Sequence, residues 1–228
     1  MKKLLPILCL LIVSSCSNDV KEVDINETEM INGIVYDQSV PPYNGVPLTG
    51  ILVEYFENGQ LKFKGNFKKG KKEGVVDFYY ENGQLRKRQH HIKGKITGVM
   101  KEYYQDGQLA FKGTFKDNIE HGPYWNYFQD GQLFSKGSMK EGKYDGLRET
   151  YHENGDLKIR KNYKDDKLDG FYDEYFDGVL WFRWNYKKGL RHGLRQRFNE
   201  NGEIEEEVCF LPESPVTLLD KSLCDGIK

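Results

Sequence analysis

Residues 98–122 read GVMKEYYQDGQLAFKGTFKDNIEHG, and this stretch decides the fold. A short aromatic run, a turn around Gly107, a second apolar run and a polar turn follow one another. The turn glycine returns at spacings of 24, 24, 24, 24, 23 and 24 residues, as Gly59, Gly83, Gly107, Gly131, Gly155, Gly178 and Gly202. Another glycine opens each unit: Gly50, Gly74, Gly98, Gly122, Gly146, Gly170 and Gly193. A fixed period of this size is the signature of a repeat architecture.

Each unit predicts a β-hairpin, because aromatic and β-branched runs flank an Asn-Gly or Asp-Gly turn. A three-residue loop with a left-handed glycine would pair Tyr55 with Leu61. Since strand side chains alternate, this register is expected to collect one apolar face from Ile51, Val53, Tyr55, Leu61, Phe63 and Phe67. In the shorter sixth unit, a two-residue Asp177-Gly178 turn of type I′ would pair Tyr175 with Leu180 and keep that face.

Two columns of side chains recur along the units. The tyrosine column, with a leucine beside each member except the last, where Ile204 takes that place, is predicted to hold neighbouring hairpins together: Tyr55, Tyr79, Tyr103, Tyr127, Tyr151, Tyr175 and Phe198. The aromatic column is predicted on the other face, among polar residues: Phe56, Tyr80, Tyr104, Phe128, His152 and Phe176. This second column is a candidate binding face. Edge-to-face stacking between strands is the alternative, and both interpretations stay open.

The pattern predicts an all-β fold, an elongated single-sheet antiparallel β-hairpin repeat array of about seven 23–24-residue units over residues 50–210. Residues 33–49 are predicted to form a degenerate N-terminal cap over the first edge of the array. Residues 16–32 are polar and acidic and predict a flexible tether. Residues 211–228 are expected to form a C-terminal cap or tail.

Residues 1–15 predict a signal peptide, with Lys2-Lys3 before an apolar run that is too short to span a bilayer. The stretch Val13-Ser14-Ser15-Cys16 resembles the lipobox of bacterial lipoproteins. The resemblance implies cleavage before Cys16 and attachment of lipid to that cysteine. An ordinary secretory signal with a chance cysteine is the alternative. Outside the cytoplasm, Cys209 and Cys224 would form a disulfide or remain two free thiols, and both possibilities stay open.

The units resemble the MORN-type repeat, in the variant found in bacterial proteins labelled as YwqK-family antitoxins. The resemblance rests on Gly-x-x-x-x-Tyr-Tyr-x-Asn/Asp-Gly-Gln-Leu and on Lys-Gly-x-Phe/Met-Lys. Both motifs occur in residues 98–116 and, with Phe128 as the second aromatic residue, in residues 122–140. The resemblance implies a twisted antiparallel sheet that serves as a scaffold or binding surface.

No nucleotide-binding loop, hydrolase motif or metal-binding cysteine spacing occurs in the sequence, so we expect no enzyme activity, no cofactor and no metal. The net charge of −1 favours no nucleic-acid partner. We therefore expect a non-catalytic protein of the bacterial cell envelope, anchored in the outer membrane by its lipid, that binds another protein. A homodimer is also compatible with the sequence. The alternative functions are an antitoxin-like or immunity-like inhibitor and a glycan-binding surface protein.

Overall fold

The computed structural model describes residues 22–31, 34–37 and 47–210. Its strands, in chain order with one 3-10 turn (Ile25–Glu27) after the first, are β1 (Glu22–Asp24), β2 (Thr28–Ile31), β3 (Ile34–Asp37), β4 (Gly50–Tyr55), β5 (Leu61–Lys68), β6 (Lys71–Tyr79), β7 (Leu85–Ile92), β8 (Lys95–Ile96), β9 (Gly98–Tyr103), β10 (Leu109–Lys116), β11 (Ile119–Tyr127), β12 (Leu133–Lys140), β13 (Lys143–Tyr144), β14 (Gly146–Tyr151), β15 (Leu157–Lys164), β16 (Lys167–Phe176), β17 (Val179–Lys187), β18 (Leu190–Arg191), β19 (Gly193–Phe198) and β20 (Ile204–Phe210).

Seven hairpins follow one another in a single open sheet: β4–β5, β6–β7, β9–β10, β11–β12, β14–β15, β16–β17 and β19–β20. Each return strand pairs antiparallel with the next outgoing strand, so the sheet grows by one hairpin at a time. This confirms the all-β array of hairpin repeats. The sheet is mixed rather than purely antiparallel, because β1 pairs parallel with β4 and sets Val23 opposite Leu52.

The N-terminal part corrects the predicted tether of residues 16–32, because residues 22–31 form β1, the 3-10 turn and β2. The first edge of the array is covered by β1, whereas β3 pairs with β2 in a separate two-stranded sheet. Buried side chains from both parts form one cluster with the first hairpins: Val23, Val35, Leu48, Leu52, Phe63, Phe67 and Val76. The strand β1 is therefore fixed by burial of Val23, the one apolar residue among its three.

The turns have the predicted geometry. In the first hairpin, Phe56 N–H donates to the Gln60 carbonyl, Gly59 N–H donates to the Phe56 carbonyl, and Gly59 has a φ of +81°. This is a type I turn followed by a left-handed glycine. In the sixth hairpin, Asp177 and Gly178 have φ values of +48° and +78°, as a type I′ turn requires. The register sets Tyr55 opposite Leu61 in the first and Tyr175 opposite Leu180 in the sixth, so both predicted pairings are confirmed.

A β-bulge after each turn makes the predicted single apolar face wrong. Beyond the pair of Tyr55 and Leu61, the next partners are Glu54 and Phe63, so Lys62 is an extra residue on its strand. All seven return strands contain such an extra residue: Lys62, Arg86, Ala110, Phe134, Lys158, Trp181 and Glu205. One extra residue reverses the alternation of side chains. Phe63 and Phe67 therefore share a face with Leu52, and not with Ile51, Val53 and Tyr55.

The sheet thus has two faces of different character. The core face carries the buried side chains of Phe63, Phe67, Val76, Met100, Tyr124 and Met139. The tyrosine face carries the tyrosine column, whose first member, Tyr55, is 50% exposed. The other six members of the column are half-buried. The tyrosine column is therefore not the fully buried core that was predicted, although buried side chains such as Asp173 lie on the same face.

Candidate functional site

The aromatic column lies at the ends of the outgoing strands, next to the turns. The hydroxyl of Tyr80 donates to the carbonyl of Tyr103 at 2.8 Å, and the hydroxyl of Tyr104 donates to the carbonyl of Tyr127 at 2.7 Å. Each bond joins one hairpin to the next, so these two tyrosines help to hold the array together. Phe56 and Phe128 are half-buried, whereas His152 and Phe176 are exposed.

Phe128, His152 and Phe176 line a groove of about 590 Å³ at the turn edge of the fourth to sixth hairpins, which we call the turn groove. The ring of Phe128 packs edge-on against Phe134 with 5.0 Å between centroids, and the ring of Phe176 packs edge-on against Trp181 at 5.5 Å. Phe134 and Trp181 are both bulge residues. The bulges therefore bring a second aromatic ring beside two members of the column, which the sequence does not predict.

The charged lining of the turn groove is mainly acidic. Its charged lining residues are the three acids Glu153, Asp156 and Asp177 and the lysine Lys158. Asp156 accepts a hydrogen bond of 2.8 Å from the side chain of Asn154. Phe176 is 61% exposed, so an aromatic surface lies open beside these carboxylates. Aromatic faces and carboxylates together attract cationic side chains with apolar stems.

A row of mostly charged side chains crosses the tyrosine face, and we call it the charge row. Cross-strand register sets each member opposite the next: Lys64, Asp77, Arg88, Lys101, Lys112, Trp125, Lys136, Glu149, Arg160, Asp173 and Arg183. Sequence reasoning missed this row. In the sequence, members of the row on outgoing strands lie three residues after the opening glycine. Members on return strands lie three residues after the first leucine of the strand, and the bulge sets these two positions opposite each other.

The acids of the charge row are held by neighbouring cations. Asp77 accepts two hydrogen bonds from Arg88, at 2.8 and 2.7 Å, and this bonding raises the pKa of Arg88. Asp173 is fully buried and accepts hydrogen bonds from both Arg160 and Arg183. Charge-assisted bonds of this kind compensate a buried carboxylate for the water it has lost.

Glu149 shows the same arrangement with a lysine and a tyrosine. It forms an ion pair of 2.9 Å with Lys136 and accepts a hydrogen bond of 3.0 Å from the hydroxyl of Tyr151. Burial raises the pKa of Glu149, but the bonds from Lys136 and Tyr151 outweigh burial, so its pKa lies below the ordinary value. Burial also raises the pKa of Tyr151, which therefore keeps its proton for this bond.

Of the three cysteines predicted as site residues, the structure describes one. Cys209 is buried and disulfide-bonded, while Cys16 and Cys224 lie outside the described residues, so lipid attachment and the pairing of Cys209 with Cys224 stay predictions. Within residues 22–31, 34–37 and 47–210, no three His, Cys, Asp or Glu side chains converge on a possible metal position. No helix in this part of the chain has the length and apolar character needed to cross a bilayer.

Comparison with protein-family models finds the MORN repeat variant (MORN_2) at residues 48–69, 72–93, 96–117, 144–165 and 191–211. These segments coincide with the first, second, third, fifth and seventh hairpins. Among curated proteins, no significant match to this chain is found. The matched segments alternate outgoing strand, turn and return strand as the hairpins do, and they indicate no catalytic family. Five of the seven hairpins of this repeat array therefore match the MORN repeat variant.

Proposed function

We propose that this protein is a non-catalytic, lipid-anchored protein of the bacterial cell envelope whose turn groove binds a segment of another protein. MORN repeats suggest a repeat-based binding or scaffold role. The single observation that carries the proposal is the turn groove, where Phe128, Phe134 and Phe176 surround about 590 Å³ of accessible space. Aromatic anchors in a concave, partly desolvated site are typical of binding hot spots.

The lining of the groove selects the kind of segment that fits. Phe128 and Phe176 offer ring faces to an apolar or aromatic side chain. Glu153 and Asp177, which form no ion pair with any described residue, favour lysine or arginine beside it. The expected partner segment therefore combines an apolar anchor with basic flanking residues.

The anchor rests on the stretch Val13-Ser14-Ser15-Cys16 and has its own test. Metabolic labelling with a palmitate analogue is expected to mark the wild-type protein and not the Cys16→Ala variant. Label that persists in Cys16→Ala would refute lipid attachment at this residue. Fractionation of the labelled protein with the outer membrane would support the proposed location, and recovery in another fraction would refute it.

Site-specific photo-crosslinking in cells tests the groove. A photoreactive phenylalanine analogue at position 152 is expected to yield one defined adduct with a protein. The matched control carries the same analogue at position 190, because Leu190 is 62% exposed but lies outside the groove. The adduct at 152 should disappear when Phe128 and Phe176 are changed to serine. Identical products at both positions, or an adduct that survives the serine changes, would contradict the proposal.

The alternative functions predict other outcomes. An antitoxin-like inhibitor requires that the crosslinked protein be toxic when expressed alone and harmless when co-expressed with this chain. A glycan-binding surface requires saturable binding on a glycan array that the Phe128 and Phe176 substitutions abolish. Glycan binding in the absence of a protein adduct would replace the proposed partner class, whereas toxicity of the crosslinked protein would keep a protein partner and change the role to inhibition.

A further inference from the structure

The third hairpin departs from the charge pattern of its neighbours. Lys101 lies directly opposite Arg88 on one side and directly opposite Lys112 on the other. Like charges in directly opposed positions of a sheet are destabilising. Three successive cations therefore form a local excess of positive charge in a chain whose net charge is −1.

The equivalent position holds a carboxylate in three other hairpins. Asp77, Glu149 and Asp173 occupy it in the second, fifth and sixth hairpins, and each is bonded to a lysine or arginine of an adjacent strand. A tyrosine lies two residues after each of these acids, and in the fifth hairpin the hydroxyl of Tyr151 donates a hydrogen bond to Glu149. The third hairpin has the cations and the tyrosine of this arrangement but lacks the acid.

The groups left over in the third hairpin can hold an external carboxylate. Among the described residues, Lys101 has no ion pair and the hydroxyl of Tyr103 has no hydrogen-bond partner. Arg88 is already bonded twice to Asp77, so its charge is largely compensated. The ammonium group of Lys112 lies 4.8 Å from the centroid of the Trp125 ring, an aromatic contact that provides no counter-charge.

A small apolar cavity lies on the same face, and it is lined by Trp125, the residue whose ring Lys112 contacts. It has a volume of about 260 Å³, and Trp125 and Leu147 form its apolar walls next to the Lys136 ion pair. Leu147 is 42% exposed, so its side chain is accessible to a partner at this cavity. An apolar side chain that entered this cavity would cover Leu147 and would place its neighbouring residues near Lys112.

We propose that Lys101, Lys112 and Tyr103 bind a carboxylate from an acidic segment of a partner protein, while the cavity between Trp125 and Leu147 receives an apolar side chain of that segment. The ligand is assigned as a carboxylate because a carboxylate occupies the equivalent place in the second, fifth and sixth hairpins. This site shares no lining residue with the turn groove, so it stands independently of the proposed function.

The test uses the full chain, purified in detergent, and a fluorescein-labelled peptide of alternating glutamate and phenylalanine. Fluorescence polarisation is expected to show saturable binding near physiological ionic strength. The same peptide with glutamine in place of glutamate is expected to bind at least tenfold more weakly. Absence of saturable binding, or equal binding of the glutamine peptide, would overturn the proposal.

Lys101→Asp gives the sharpest variant because it supplies the missing acid from within the hairpin. It is expected to raise the melting temperature and to weaken peptide binding at least tenfold. Lys112→Gln removes one cation without adding an acid and is also expected to weaken binding. It tests the site if Lys101→Asp fails to fold. Lys116→Gln, an exposed lysine on the same strand as Lys112, is the matched control and should bind as the wild type does.

Unchanged peptide affinity in both Lys101→Asp and Lys112→Gln would overturn the site. Tighter binding of a thymidine oligonucleotide or of polygalacturonate than of the acidic peptide would overturn the assignment to a protein segment. Phe176→Ala, which alters the turn groove, is expected to leave peptide binding unchanged. Failure of the peptide experiment would therefore leave the photo-crosslinking result at position 152 unaffected.

Discussion

Arg183 donates two hydrogen bonds to Asp173, at 2.7 and 2.9 Å, and Asp173 is completely shielded from solvent. Arg160 donates to the same carboxylate from the strand on the other side. A buried acid between two arginines is stable only as long as both partners remain. The sixth hairpin is consequently tied to the fifth through one side chain.

Substitution of this acid is expected to be severe. Asp173→Ala leaves two half-buried arginines without their counter-charge, so it should lower the free energy of unfolding by about 3–5 kcal/mol. Urea denaturation measures the loss. The control Glu153→Ala removes an exposed turn acid and should change stability by less than about 0.5 kcal/mol. Equal effects of the two substitutions would show that the Asp173 cluster does not stabilise the sheet.

The ion pair of Glu149 predicts a pH dependence of stability. The pKa of Glu149 in the folded protein lies below its ordinary value of 4.5, so its stabilising contribution is present above that pH. The contribution is lost as the pH falls through the folded pKa and the carboxylate takes up a proton. Glu149→Gln should therefore lose less stability than the wild type on acidification, as measured by thermal denaturation from neutral pH to pH 3. Parallel curves would contradict the predicted coupling.

The glycine of the Lys-Gly step in the return strand is required by packing. A Cβ atom on Gly65 would lie 2.7 Å from the tip of the Phe63 ring, and Phe63 is only 6% exposed. Gly65→Ala is therefore expected to cost about 1–3 kcal/mol through overpacking, as chemical denaturation would show. Lys68→Ala, an exposed change on the same strand, serves as the control. Equal stability of Gly65→Ala and the wild type would mean that Phe63 has room to move.

The short turn of the sixth hairpin predicts an asymmetric tolerance to insertion. An asparagine between Asp177 and Gly178 creates a three-residue loop like those of the other hairpins, so the pairing of Tyr175 with Leu180 can persist. The same insertion between Asp106 and Gly107 makes a four-residue loop and misaligns Tyr103 with Leu109. Thermal denaturation should show a smaller loss for the first insertion. A larger loss at Asp177 would contradict this account of the turns.

The sequence predicts the turns well because their chemistry is local. Asn-Gly and Asp-Gly restrict the backbone to a few turn types, and the 23-residue spacing predicts the type I′ turn of the sixth hairpin. The N-terminal strand β1 is not predictable in this way. Glu22-Val23-Asp24 has one apolar residue, and its burial depends on pairing with β4, about 30 residues further along the chain.

The division of the two faces could not be predicted, because the bulge has no constant residue type. Lysine, arginine, alanine, phenylalanine, tryptophan and glutamate all occupy it, with no glycine to mark the position. Without the bulge, Phe63 is assigned to the face of Tyr55 and the charge row is not recognised. The aromatic column could be predicted from the sequence, but the turn groove is also lined by Phe134. The bulge brings Phe134 beside Phe128 and Trp181 beside Phe176.

The register beyond each turn decides which side chains share a face, and the charge row depends on it. In the fifth hairpin Tyr151 pairs with Leu157, and the bulge then sets Thr150 opposite Ile159. Without the bulge, Glu149 would lie opposite Ile159. Paired cysteines report this register directly, because a disulfide needs Cβ atoms about 3.5–4.5 Å apart. Oxidation followed by peptide mapping should find a bridge in Thr150→Cys/Ile159→Cys and none in Glu149→Cys/Ile159→Cys. A bridge in the second variant and not in the first would contradict the arrangement of the two faces.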